Sequence, residues 1–324
     1  MQNIRYPKIF IRSKTELARH ISHKGFPRGV ALSLINDTIT HFNEYWKDNK
    51  KYSNPAKGKY VRNAKGTPLG LLLKKINERI LKPYDKILPN FIFGGISGLD
   101  HVKAATHLLG KKRRRTLLKT DIKCFFEQIN AGRVRDFFVK KCQCTPKPSR
   151  LLSDLCCIPL GPKGSGDQVK AIARGFSTST RLAVWCNLYI FLRLNWLIKR
   201  RLNGHDPRLA IYIDDIGITA SRVPKDKMEK LCKEVKELLE TADSNQRLPL
   251  NQEKTKIISY QEGMEHLGLR LEKNSLSIGN TTRAKRDKLK TKLQSGAASM
   301  ERPQIKKIYR TLKFYERYVE SVQQ

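Results

Sequence analysis

Two adjacent aspartates, Asp214 and Asp215, sit inside the text RLAIYIDDIGITA, with Ile, Tyr and Ala on one side and Ile and Thr on the other. That composition reads as two short β runs meeting at a turn. Neighbouring carboxylates repel unless a cation lies between or beside them, and a divalent metal is the economical cation. A third carboxylate, Asp121, follows the apolar run TLLKT and is expected to project from a strand end. Three carboxylates on neighbouring strands can hold two Mg²⁺ ions about 3.5–4 Å apart, which stabilises both the attacking and the leaving oxygen of a phosphoryl transfer. The plainer alternative is an aspartate pair that only hydrogen-bonds its own backbone at a turn.

Something must position such a trio. Alternating β-like and helical segments through the centre of the chain argue for an α+β or α/β sheet core with helical flanks, and the length suggests about two domains. Residues 1–60 read as basic and helical, with Leu32, Ile35, Ile39, Phe42 and Trp46 spaced as one buried helix face. A basic loop then leads into the helix GLLLKKINERILK, and the glycines of FIFGGISG permit either a turn or a close approach to a ligand. Met228, Leu231, Val235, Leu238 and Leu239 fall on one helical face, so that helix is predicted to lie on a sheet. The tail is helical, basic and interleaved with tyrosines.

The balance of 65 Lys+Arg against 29 Asp+Glu gives a formal net charge of +36. Such a chain favours a polyanionic partner, because neutralised phosphates release their counterions. Nucleic acid leads, and an anionic membrane surface comes second. Five consecutive cations, Lys111 to Arg115, precede the Asp121 strand; they are either solvated or hold a phosphate backbone near the chemistry. Lys163-Gly164-Ser165-Gly166 lacks the spacing of a phosphate-binding Walker loop. The most apolar stretch, Leu182 to Ile198, is interrupted by Asn187, Arg193 and Asn195, so no membrane span is expected. No secretory h-region opens the sequence, and seven cysteines without a disulfide or zinc spacing fit a reducing, cytoplasmic setting.

Four ordered segments resemble the reverse transcriptases of prokaryotes. YIDD at Tyr212 to Asp215 is similar to their YxDD box, and TDIKCFFEQI to their first catalytic segment. ARGFSTSTRLAVWCNL resembles the segment between the two, although Arg174 stands where the family usually has Gln and Ser179-Thr180 where it has Ser-Pro. LNQEKTKIIS and EHLGLRL resemble the lysine-bearing segment and the primer-holding hairpin. The retron signatures are half kept, as KAATH ending at His107 and HLG at His266 to Gly268, which counts against the retron branch and favours a neighbouring prokaryotic one, such as the defence-associated reverse transcriptases or a compact relative of the group II intron enzymes.

The resemblance implies an α+β right-hand polymerase fold. It would comprise a basic helical extension over 1–59, fingers and an antiparallel-sheet palm over 60–280, and a short helical thumb over 281–324. It implies Asp121, Asp214 and Asp215 as catalytic metal ligands with the backbone of Ile122 beside them, and two Mg²⁺ ions that Mn²⁺ could replace. Phe126 falls at the steric gate, where a bulky ring leaves no room for a 2′-hydroxyl; otherwise the Phe125-Phe126 pair fills a core. Arg174, Gly175 and Ser177 would meet the incoming dNTP, with Arg174 able to clamp a triphosphate, and Lys254 or Lys256 would face the pyrophosphate. Tyr212, Leu267, Gly268, Lys111, Arg113 and Arg114 would contact primer and template. The implied function is RNA-directed DNA synthesis on a structured non-coding RNA in antiphage defence, with a neighbouring effector protein as a further partner. Two rival readings stand beside it: a non-catalytic RNA-binding scaffold, and untemplated or protein-primed DNA synthesis.

Overall fold

The protein's structure is a computed structural model that describes residues 5–112, 114–243, 247–273, 275–294 and 302–322. Helices α1 (Lys14–Ile21) and α2 (Arg28–Thr40) open the chain. Ser13 caps α1 by accepting the Glu16 N–H at 3.1 Å, one of the first-turn donors a helix cannot satisfy internally. Helix α2 stops a turn short of the apolar periodicity: Ala31, Ile35 and Thr38 are buried, Ile39 is exposed, and Trp46 is buried from beyond the helix end. The reason lies at His41 to Tyr45, where the chain tightens into a 3₁₀ turn and redirects the apolar series.

A two-stranded pair, β1 (Lys47–Asp48) and β2 (Arg62–Asn63), precedes α3 (Pro68–Ile76), which starts on a Thr67 cap with proline at its first position. Helix α4 (His101–Leu109), capped by Asp100, leads to β3 (Arg115–Asp121). Next come α5 (Ala131–Asp136), α6 (Pro146–Cys156), the hairpin β4 (Cys157–Pro159) and β5 (Lys170–Ile172), and the long α7 (Ser179–Arg201). The chain continues through β6 (Arg208–Tyr212), β7 (Asp215–Ser221), α8 (Lys225–Thr241) and β8 (Lys256–Ser259). It closes with β9 (Met264–His266), β10 (Leu269–Leu271), β11 (Leu276–Ile278), α9 (Asn280–Gln294) and α10 (Arg302–Ser321).

The fold is a mixed helix-and-sheet one, and its centre is a four-stranded antiparallel sheet in the order β6-β7-β3-β8. Strand β3 is buried at six of its seven positions, a setting that Thr116, Leu117, Leu118 and Thr120 fit, while charged Arg115 and Asp121 close its two ends. Met228, Leu231, Val235 and Leu239 of α8 are buried, and the helix lies against β3 and β8 as its periodicity predicts. Helix α7 is buried over much of its length by protein, and among the described residues no helix is long and apolar enough to cross a membrane. Ile9, Ile11, Leu17 and Ile35 belong to the same apolar core as Phe125, Trp185 and Ile218. A smaller cluster joins α4, the β9-β10-β11 sheet and Val319 of α10.

Of the two glycines of FIFGG, Gly94 lies against backbone and Gly95 against the Thr180 side chain. Residues Phe91 to Gly94 run beside β6, with the Ile211 N–H donating to Phe91 O at 2.8 Å and the Phe93 N–H donating to Ile211 O at 2.9 Å. A Cβ on Gly94 would fall 2.2 Å from the Ile213 amide nitrogen, so only glycine lets this segment lie against the turn that bears the aspartates. The Lys163 loop likewise folds onto its own chain: the Lys163 ammonium donates to Trp46 O at 2.6 Å and sits 5.0 Å from the Trp46 ring.

Candidate active site

Strands β6 and β7 are joined by a two-residue turn, Ile213-Asp214, with Tyr212 opposite Asp215. Ile213 has φ 62°, a left-handed conformation that a β-branched residue adopts only when its surroundings enforce it. Asp121, the last residue of β3, is the direct register partner of Asp215. Just beyond it the Ile122 N–H donates to Asp214 O at 2.9 Å, and the Lys123 N–H to Pro249 O at 2.8 Å. Two segments distant in sequence thus fix the three aspartates at one end of one sheet.

Asp121 is 3% exposed. One carboxylate oxygen accepts a hydrogen bond from the Lys254 ammonium at 2.7 Å, while its other oxygen, Oδ1, is buried without a partner. Burial, followed by the neighbouring charges of Asp214 and Asp121, pushes the Asp215 carboxyl up to about 6. Burial also raises Asp214, where Arg174 and Lys254 oppose the shift and Asp121 adds to it. Three crowded carboxylates with a buried unpartnered oxygen form a donor set short of positive charge, which suits a divalent cation. Among the described residues no group of three or more His, Cys, Asp or Glu side chains is arranged to hold a metal ion, and Lys254 holds the Asp121 oxygen for which a cation would compete.

A cleft of about 320 Å³ opens on this edge, with Asp121, Asp215, Lys119, Lys254 and Lys256 on its walls and Leu267 and Gly268 at its rim. The β9-β10 turn places Leu267 at φ 54° and Gly268 at φ 73°, a second hairpin held in left-handed backbone beside the first. Of the two lysines in LNQEKTK, it is Lys254 that touches Asp121; Lys256 is an exposed residue opposite Lys119 in the sheet register. Lys119 is a cleft residue that motif reading passes over, although it lies two residues before Asp121 and therefore on the same strand face. Its ammonium donates to Glu265 O at 2.7 Å, tying β3 to the second hairpin.

The Phe125-Phe126 pair divides. Phe125 is fully buried against Phe191, while Phe126 lies at the core's edge with the Arg174 guanidinium 4.8 Å from its ring centre. Glu127 takes that guanidinium bidentately, at 3.1 and 3.0 Å, so the fork expected to clamp a triphosphate is already occupied by protein. Gly175 has φ 102°, and a Cβ there would fall 2.4 Å from Arg62 O; its glycine is required by backbone packing as well as by position. Ser177 is exposed just before α7. The Tyr212 ring lies 6.2 Å from that of His101, whose Nε2 pairs with the Tyr315 hydroxyl at 2.7 Å.

The basic run does not reach this cleft. Lys111 and Arg114 are exposed beyond Arg115, at the opposite end of β3, about 20 Å from Asp121 at the usual rise per residue. The sheet's length separates them from the carboxylates, which corrects the expectation that they flank the chemistry. Arg113 lies outside the described residues.

An antiparallel sheet that ends in clustered carboxylates faced by lysines, within a strongly cationic chain, has the makings of a site that handles phosphates with a metal ion. Residues 67–271 match the family model described as reverse transcriptase (RNA-dependent DNA polymerase), and the chain belongs to that family. It is 26% identical over 216 residues to the Retron Ec48 reverse transcriptase of Escherichia coli, which covers 63% of this chain and 47% of that protein. The chain therefore spans about half the length of the curated relative it matches.

Proposed function

We propose that this protein is an RNA-directed DNA polymerase of retron-like type. The observation that carries the reading is the pairing of Asp121 with Asp215 across the sheet, beside Asp214, with the buried Asp121 Oδ1 lacking any partner. In this reading residues 60–280 are fingers and palm, 281–324 the thumb, and 1–59 a basic extension. The template is a structured non-coding RNA, recognised largely by shape and 2′-hydroxyl contacts, and the product is DNA built from dNTPs. Antiphage defence and a neighbouring effector protein complete the proposal; they rest on the likeness to a retron enzyme alone.

Reverse transcriptases work with divalent metal ions. Two such ions, Mg²⁺ or Mn²⁺, would be held by Asp121, Asp214 and Asp215 near the Ile122 backbone, and when bound they supply positive charge to the reacting phosphate and oxygens. The protein's own groups do the rest. Lys254, 61% exposed yet anchored on Asp121, can swing its ammonium toward a departing pyrophosphate and give it a proton. Phe126, braced by Arg174, fills the space a ribose 2′-hydroxyl would need. Gly175 and Ser177 border the nucleotide, and Tyr212 with the Leu267-Gly268 turn supports the primer end.

The test is primer extension on an RNA template with dNTPs and Mg²⁺. The parent chain should make DNA, and Asp214→Asn and Asp215→Asn should each lower the rate by at least about 10³-fold, the scale on which metal-assisted charge stabilisation acts. RNA binding in chelator without any metal-dependent synthesis would favour the passive scaffold instead.

A further inference from the structure

Helix α7 is turned inward over most of its length, yet between Tyr189 and Arg200 five positions are exposed: Tyr189, Arg193, Trp196, Lys199 and Arg200. They fall on one stripe, and each is aromatic or cationic. Trp196 is 56% and Tyr189 38% exposed, unusual for rings of that size on a helix with an apolar core to enter. Rings and guanidinium groups are interleaved: Arg193 stands 5.7 Å from the Tyr189 ring centre and Arg200 stands 4.4 Å from that of Trp196. At about 1.5 Å rise per residue the stripe is about 16 Å long.

A cleft of about 410 Å³ continues it at the Tyr189 end. Tyr6, Trp185 and Tyr189 wall this cleft, and Arg135, Lys140 and Lys141 stand on it. The Lys141 ammonium repeats the motif 5.1 Å from the Tyr6 ring, and the buried Trp185 indole N–H has no acceptor in the protein. The cleft shares no residue with the one that holds Asp121 and Asp215.

Exposed rings flanked by cations fit one class of ligand. A duplex would engage the cations through its phosphates but hides its base faces in the stack, whereas an unpaired strand offers both. A membrane surface would require a continuous apolar face segregated from the cations, whereas here Arg193 separates Tyr189 from Trp196 and Lys199 and Arg200 follow on the same stripe. We infer that the outer stripe of α7 and the cleft beside it form a track for unpaired nucleic acid, separate from the acidic cleft. The inference does not depend on the polymerase reading, because binding along α7 requires no nucleotide transfer.

The experiment measures binding by the full chain in chelator, with fluorescent oligo(rU), oligo(dT) and an RNA duplex of equal length. Trp196 is 56% exposed, against 4% for Trp46 and 1% for Trp185 at the cleft, so most of the emission change an oligonucleotide causes should come from Trp196. Tyr189→Ala combined with Trp196→Ala should weaken single-strand binding roughly tenfold or more and leave the duplex unaffected. Trp196→Phe should keep the affinity while losing most of the emission change. Arg193→Gln with Arg200→Gln should flatten the salt dependence on single strands by a slope of about 1.4. The ratio of oligo(rU) to oligo(dT) affinity tells which strand the track prefers. Parent-like single-strand binding by the double ring variant, or an equal loss on the duplex, overturns the inference and returns the stripe to solvent or to a protein partner. If single-strand binding falls as expected while the parent makes no DNA, the track stands and only the polymerase reading fails.

Discussion

Strand β3 carries a buried charge at each end, and the two are treated in opposite ways. At its start, Arg115 is 4% exposed and saturated: Nε donates to Thr219 Oγ1 at 3.0 Å, Nη1 to Asp206 at 2.8 Å and to Lys112 O at 3.1 Å, and Nη2 to Thr219 O at 3.2 Å. Burial works against its partner Asp206, yet the backbone N–H groups of Lys112 and Lys111 and the Arg115 guanidinium hold that carboxyl down at about 2. At the strand's other end, Asp121 shares one oxygen with a largely exposed lysine and leaves the other unpartnered, while its neighbour Asp215 is pushed up to about 6. A saturated buried charge holds the sheet together, whereas a carboxylate cluster with a buried unpartnered oxygen detracts from the fold.

The largest effect should come from breaking the saturated end. Arg115→Met leaves the Thr219 and Lys112 carbonyls without their donor, while Asp206 keeps Arg208 and two backbone N–H groups; it should lower unfolding free energy by about 2–3 kcal/mol, read by urea denaturation. Asp215→Asn should leave metal-free stability equal or higher, because it removes a repelling charge. Comparable losses from both substitutions would erase the distinction between the two ends.

A sharper cut falls within the cleft, between the two lysines. Lys254→Ala should slow nucleotide addition by about 10²-fold, the lower range for a positioned proton donor, whereas Lys256→Ala should stay close to the parent. Single-turnover extension rates decide it, and equal effects would mean that the contact with Asp121 carries no role. Sequence alone could not separate these residues, since two positions of offset place both near the start of β8. It did make the aspartates legible, because apolar flanks and a turn dictate where they point. Lys111 and Arg114 precede β3 and so lie at its start, a strand's length from Asp121 at its end; nearness in sequence to the strand was not nearness to the carboxylate. Nor could sequence anticipate the bidentate grip of Glu127 on Arg174, which depends on a contact spanning 47 positions.

Titration offers a smaller and subtler contrast. A carboxyl raised to about 6 penalises the fold fully above that pH, and the penalty disappears as pH falls toward the ordinary aspartate value near 4. Asp206, lowered to about 2, contributes stability above pH 4 that is lost only as pH falls through about 2. Between about pH 7 and 5, therefore, the metal-free protein should gain stability from the Asp215 end while the Asp206 end stays silent. Because protons compete with the cation, the rise in Tm on adding Mg²⁺ should shrink over the same interval. Melting curves of parent and Asp215→Asn, with and without Mg²⁺, check both signs; the variant's stability should change less across that range.

The smallest effect concerns backbone, and it again distinguishes the ends. Ile213 at φ 62° and Arg114 at φ 55° are both left-handed, a conformation that disfavours L-residues by about 1–2 kcal/mol. Glycine at either position relieves that and gives back about 0.5–1 kcal/mol in chain entropy; Arg114→Gly should shift stability by no more than about 1 kcal/mol, and Ile213→Gly, which also loses a half-buried side chain packed against the core, should cost about 1–2 kcal/mol. Their activities should part. Gly94 packs against Ile213 so closely that a Cβ there would lie 2.6 Å from Ile213 Cγ1, and this side chain helps hold the turn bearing Asp214. Loss of that wedge should reduce extension severalfold with only a modest fall in Tm, while Arg114→Gly, about 20 Å away along β3, should extend primers at the parental rate. Strain at the carboxylate end would then be strain that positions a reacting group, and the same backbone angle at the arginine end would be a turn and nothing more.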